Sequence, residues 1–217
     1  MWVESPVTGG AVTSPPSAAT CTALASLSLP TTSLTLTQWN AATAGAPAHC
    51  EVIGALDARV GAAGRPYAIR FHLRLPEGWN RRFLFQGGSG TDGFLGGAGG
   101  APLVDGYAVI ATDSGHDNAV DSDGAAGGTA AFGVDPQARI DFGYRALDRV
   151  TLTAKALIRS FYGRKPRHSY FVGCSNGGRQ GMVAAERFPQ HFDGIVAGDP
   201  GFDLPQAALA EAWNEQA

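Results

Sequence analysis

The sequence predicts an α/β fold with a mostly parallel sheet, and three observations carry that expectation. From Arg82 onward, short apolar runs alternate with helix-forming segments in the order strand, loop, strand, helix, strand, helix, strand. The run Tyr170-Phe171-Val172 ends in Gly173-Cys174-Ser175-Asn176-Gly177 and passes directly into a helix-forming stretch, the layout of a nucleophile elbow. Two strands before the elbow, Arg82 to Gln86 runs into Gly87-Gly88-Ser89-Gly90, a loop in which backbone amides can approach a bound group closely.

Taken in order, Met1 to Pro16 is rich in Gly, Ser, Thr and Pro. It lacks the basic start and apolar stretch of an export signal. Residues 1–20 therefore read as a flexible leader, or as the remainder of a truncated export segment, and 21–217 as one domain without internal repeats. Cys21 to Leu29 is expected as a short helix and Ser33 to Leu36 as a short extended piece. Glu51 to Val60 and Tyr67 to Leu75 are expected strands. In the second, Tyr67, Ile69, Phe71, Leu73 and Leu75 share one face and Arg70, His72 and Arg74 the other. Pro76-Glu77-Gly78 supplies the turn that ends it.

Arg82 to Gln86 and Gly106 to Thr112 are expected as buried strands, with an aperiodic Gly/Ala/Asp-rich loop over Asp117 to Gly133. A long helix is expected from Ile140 to Phe161, its apolar face made by Phe142, Ala146, Val150, Leu152, Ala156 and Leu157. Gly163 and Pro166 stop it. After the elbow strand come a helix over Gly177 to Arg187 and a last strand over Phe192 to Gly198.

Composition narrows the function classes. Of 217 residues, 44% are hydrophobic and 16% charged, which is a globular rather than a disordered balance. The net charge of −3 comes with no basic stripe and argues against nucleic acid as a partner. No apolar run approaches the ~20 residues of a membrane span. Cys21, Cys50 and Cys174 do not combine with any histidine at zinc spacing, so no metal site is expected, and no phosphate-binding or dinucleotide fingerprint is present. Cys21 and Cys50 read as a disulfide contributing about 3.5 kcal/mol by loop closure. Two reduced cysteines are the alternative. Cys174 is left unpaired, which is unusual in an oxidising compartment.

Ser175 is the candidate nucleophile. A serine hydroxyl attacks only when a histidine takes its proton and an acid orients that histidine. The bland reading is a tight turn beside a core strand. The backbone N–H of Asn176, the residue after the serine, is expected as one oxyanion donor, with Gly88 as the second and Gly87 after it. Asp113-Ser114-Gly115-His116-Asp117 stands at the end of a strand, where α/β sites gather, but it precedes the serine and is expected to be structural. His49, His72 and His168 are expected to be solvated or capping. His191 is the histidine that follows Ser175, at the far end of the next helix. Asp193, Asp199 and Asp203 also follow, and Asp199 is the best placed of them.

The stretches Asp141-Phe142-Gly143-Tyr144-Arg145-Ala146, Tyr170 to Gly181 and Phe192-Asp193-Gly194-Ile195-Val196-Ala197-Gly198 resemble the tannase and feruloyl esterase family. So do Thr112-Asp113-Ser114-Gly115-His116 and the Cys21…Cys50 pair. The resemblance runs from about Cys21 to Pro205 and corresponds to the amino-terminal half of a family member. It implies an α/β-hydrolase core, cut after the strand that follows the elbow, in a secreted or periplasmic serine esterase acting on small phenolic or aromatic esters. It also implies that Cys174 pairs, in longer members, with a cysteine just after the catalytic histidine. The lid domain with its calcium, the catalytic aspartate and that His-Cys pair have no matching positions here. The chain is accordingly expected to be an incomplete, inactive piece with no cofactor of its own. Two other readings fit the same residues: a secreted polyester-depolymerase-like hydrolase, and a non-catalytic binding module on a hydrolase fold.

Overall fold

A computed structural model describes residues 15–216. Most of the expected leader lies outside them. A seven-stranded sheet in the order β1-β2-β3-β5-β4-β6-β7 organises the chain. Its strands are β1 (Thr32–Asn40), β2 (His49–Val60), β3 (Pro66–Pro76), β4 (Arg82–Gln86), β5 (Ala108–Thr112), β6 (His168–Ser175) and β7 (Gly194–Pro200). The pairs β1–β2, β2–β3 and β3–β5 are antiparallel, while β4–β5, β4–β6 and β6–β7 are parallel. It follows that β2, β4, β5, β6 and β7 all point one way, and only β1 and β3 oppose them. The expected mostly parallel α/β sheet is what forms.

Two-residue periodicity sorts the strands into two apolar faces, as a sheet covered on both sides requires. Phe83 and Phe85 of β4, Ile110 of β5 and Phe171 of β6 face α4 (Ala146–Tyr162) and α5 (Asn176–Arg187) in the main core. Their neighbours Leu84, Val109, Ala111 and Tyr170 face the opposite way, towards Ala98 and Leu103. That second cover consists of a loop and the single turn α2 (Ala101–Val104) and stops short of the β7 edge. Val172 and Val196, which pair across β6 and β7, are 42% and 59% exposed there.

Several boundaries differ from expectation for identifiable reasons. The first helix is α1 (Ala18–Ala23), started by a reciprocal capping box between Ser17 and Thr20 and continued by a 3-10 turn over Leu24–Ser26. The short extended piece grows into β1, because it pairs along most of β2. Disulfide Cys21–Cys50 joins α1 to β2 inside the core, with a Cα–Cα distance of 5.5 Å. The Gly/Ala/Asp-rich loop contains two 3-10 segments, Gly124–Ala126 and Gly128–Val134.

The long helix is three pieces: α3 (Pro136–Ile140), a π-helical turn over Asp141–Arg145, and α4. Its start moves back because Asp135 caps α3, accepting the Ala138 N–H, and Pro136 occupies the first turn. The π turn shifts the phase of the apolar stripe, so Leu152 is exposed while Thr151, Thr153 and Ala154 are buried. The final helix α6 (Leu204–Asn214) and the turn α2 have no counterpart in the sequence reading.

Candidate active site

The strand-to-helix turn at Ser175 is as tight as its sequence suggests. Ser175 takes φ 58° and ψ −120°, a backbone state that L-residues rarely occupy and that is held only where the surroundings over-determine it. Glycines make the surroundings possible. A Cβ on Gly173 would meet the Gly177 carbonyl and lie 2.7 Å from the Gly177 Cα. A Cβ on Gly87 would lie 2.8 Å from that same Cα. The glycine loop, β6 and the first turn of α5 thus touch backbone to backbone.

Asn176 is the first residue of α5, where backbone N–H groups have no partner within the helix. Its amide, and the positive end of the helix dipole, sit directly after the exposed Ser175. The glycine loop differs in detail from expectation. The Gly88 N–H donates to Gln180 Oε1 at 2.9 Å, and the Gly87 N–H donates to the Val172 carbonyl at 2.8 Å. Among the described residues the Ser89 N–H has no such acceptor. Beside the loop, a cleft of about 1070 Å³ runs over the open sheet face past Gly173 and Cys174, and Phe94, Tyr107, Tyr170 and Val172 contribute to its walls. Cys174 is exposed and free.

Among the described residues, no histidine is hydrogen-bonded to Ser175. His191 is buried at the other end of α5, where Nε2 lies 2.6 Å from Asp148 Oδ1. Asp193 accepts the Ser169 N–H at the start of β6, Asp199 is exposed near the end of β7, and Asp203 precedes α6. The segment after β5 is structural, as expected. Asp113 bonds the Arg70 guanidinium at 2.5 Å and accepts the N–H groups of Arg70 and Gly115. His116 is 1% exposed, has neither ring nitrogen paired, and stacks on Phe132 with centroids 3.8 Å apart. Burial holds its pKa down at about 4, so it is a neutral ring at neutral pH. His49 and His72 are buried rather than solvated. His72 bridges Glu51 and the Gly96 carbonyl, and His49 Nδ1 lies 2.8 Å from the Pro47 carbonyl. Among the described residues, no three His, Cys, Asp or Glu side chains converge on a metal.

Sequence reasoning missed the polar residues beneath the elbow: Asp92, Ser114, Arg179 and Gln180. A signal existed for two of them. Arg179 and Gln180 stand three and four positions after Asn176, on the same helical face.

The sequence profile described as tannase and feruloyl esterase matches residues 50–217. The chain belongs to that family. It is 52% identical over 184 residues to mono(2-hydroxyethyl) terephthalate hydrolase from Piscinibacter sakaiensis, a match covering 81% of this chain and 30% of that protein. It is 39% identical over 140 residues to a probable feruloyl esterase B-2 from Aspergillus flavus, covering 63% and 25% of the two. Among solved structures, feruloyl esterase B from Aspergillus oryzae superimposes with a TM-score of 0.73 at 26% identity, over 86% of this chain and 38% of that one. The α/β-hydrolase core is therefore shared. This chain spans about a third of the length of these family members, less than the half that the resemblance implied.

Proposed function

We propose that this chain carries the nucleophile half of a serine carboxylesterase acting on small aromatic or phenolic esters. The observation that carries the reading is the Ser175 elbow: a strained, exposed serine set between β6 and the free amide end of α5. Ser175 Oγ attacks the ester carbonyl. The Asn176 N–H and the glycine loop, where Ser89 has the unspent amide, hold the oxyanion. Phe94, in the loop that follows Gly88, offers an aromatic ring to the acid or alcohol part of the ester. The similarity to a mono(2-hydroxyethyl) terephthalate hydrolase and a probable feruloyl esterase supports that substrate class. The Cys21–Cys50 disulfide supports an oxidising, secreted or periplasmic location.

With no histidine on Ser175, the 217 residues by themselves turn over slowly. Nucleophile and oxyanion donors without a working base leave about 10³–10⁴-fold over water. The test is reaction with a fluorophosphonate, with and without imidazole as external base, read by peptide mass spectrometry. Ser175 should be modified, imidazole should accelerate the reaction, and Ser175→Ala should abolish it. Equal labelling of the urea-unfolded chain, or labelling that survives Ser175→Ala, would overturn the reading.

A further inference from the structure

We propose that Gln180, Asp92 and Arg179 are positioning residues that join the glycine loop and the first turn of α5 into one preset oxyanion-binding unit. Its catalytic meaning rests on the esterase reading of Ser175. Gln180 is the centre of the network. Its Nε2 donates to Asp92 Oδ2 at 2.6 Å and to Ser114 Oγ at 3.1 Å, while its Oε1 accepts the Gly88 N–H at 2.9 Å. The reverse orientation of the amide would set a donor against the Gly88 N–H, so the bonding pattern fixes the side chain. One residue of α5 thereby holds the loop and the end of β5 together.

Arg179 extends the same unit on the other side. Its Nε donates to Asn176 Oδ1 at 2.8 Å, and its terminal nitrogens reach the carbonyls of Phe142 and Gly143. Those carbonyls belong to the π-helical turn, where the wider hydrogen-bond spacing leaves backbone acceptors to be met from outside. The guanidinium also lies over the Phe142 ring, 4.3 Å from its centroid. The π turn is therefore tied through Arg179 to Asn176, the residue that follows Ser175.

Asp92 closes the network from the loop side. It is 2% exposed, and its Oδ1 packs so closely on Gly88 that any Cβ there would collide with it. Asp92 Oδ1 and Asn176 Nδ2, one acceptor and one donor, are both buried and both unpartnered. Burial raises the Asp92 pKa, against the opposing effects of the neighbouring polar side chains and of the Arg179 charge. The charged groups in this neighbourhood are few. Arg179 comes from α5, with its donors committed as above. The loop after β5 brings Asp113 and Asp117, both paired with Arg70 of β3, and His116, stacked on Phe132. Residues 87–91 of the glycine loop bring none. Because Oδ2 already accepts from Gln180, a proton on Asp92 would sit on Oδ1 and turn that buried, unpartnered acceptor into a donor, a change passed through Gln180 to Gly88 and along α5 to Asn176.

Backbone amide NMR of the full chain tests this without requiring catalysis. The Gly88 and Asn176 amides should titrate with one shared midpoint above the ordinary aspartate value of about 3.9. The Asp92 side-chain carboxyl carbon should show the same midpoint. Asp92→Asn should erase the shared titration. Gln180→Met should leave Asn176 titrating while it uncouples Gly88 and speeds exchange of the Gly88 amide by about tenfold. Amides that titrate separately in the wild-type chain, or a shared titration that survives Asp92→Asn, would overturn the proposal. The wild-type measurement decides even if a variant fails to fold. An unreactive Ser175 would overturn the esterase reading and leave this coupling standing.

Discussion

Gly173→Ala is the sharpest test of how the elbow is held. The added methyl would meet the Gly177 carbonyl and stand 2.7 Å from the Gly177 Cα. These are backbone atoms in the first turn of α5, so no side-chain rotation relieves the contact. Restoring an ordinary carbon–carbon separation of about 3.5 Å from the Gly177 carbonyl carbon needs β6 and α5 to part by roughly 1 Å. Gly87 lies against the same Cα, so the glycine loop must move as well. Overpacking of this kind costs about 3 kcal/mol, at the upper end of the usual range because the clash is with backbone. For a domain of this size that lowers Tm by about 6–12 °C. Gly143→Ala is the matched control, because a Cβ there meets nothing within 4 Å and φ is not positive. Its expected effect is between zero and about 1 kcal/mol of stabilisation. Circular dichroism melts and urea titrations of both variants give the comparison. If Gly173→Ala melts within 2 °C of wild type, or the control loses as much, the close backbone approach does not define the elbow.

Two further perturbations address the frame around the site. Replacing both Cys21 and Cys50 with alanine opens a loop of sequence separation 29 and should cost about 3.5 kcal/mol in urea unfolding. A loss under about 1 kcal/mol would show that the bridge does not constrain the unfolded chain. Asp135 bonds Arg59 at 2.6 and 3.0 Å and accepts the Ala62 and Ala138 N–H groups. The Arg59 guanidinium first, and then those amides, hold its pKa below the ordinary carboxylate range against the opposing effect of burial. Because the folded value is depressed, its stabilisation is complete above the unfolded value of about 3.9 and disappears as pH falls further. Asp135→Asn should be less stable than wild type at pH 7, with the gap narrowing below about pH 4. A gap of constant size from pH 7 to pH 3 would contradict the assignment.

The parts of the fold that were legible in the sequence are those where local pattern and tertiary role agree. The alternation of Tyr67 to Leu75 reports a strand with one buried face, and that face is buried. The elbow was legible because its glycines and serine answer a backbone demand that few other sequences meet. Helix phase between residues 136 and 162 was not legible. A π turn costs one residue of register, and no local propensity marks it until the Arg179 guanidinium is seen to donate to its carbonyls. The network of Asp92, Ser114 and Gln180 was hidden for another reason. Its members lie 22 and 66 residues apart along the chain, and polar residues in a glycine-rich loop read as solvated until burial is known. The fate of the Gly88 amide depends on the same long-range contact.

The two faces of the sheet have different consequences for Ser175. Holding a non-glycine residue at φ 58° and ψ −120° costs of order 1–3 kcal/mol, which neighbouring contacts must offset. Several contacts on the closed side do so. Phe171 packs with Phe85 and Phe192, the Gly173–Gly177 approach lies beneath the turn, and Gly178 sits against the Gly198 carbonyl where α5 crosses β7. The strained serine is therefore formed by residues this chain already contains, whatever covers the cleft. The turn that presents Ser175 is thus built by β6, the glycine loop and α5 together.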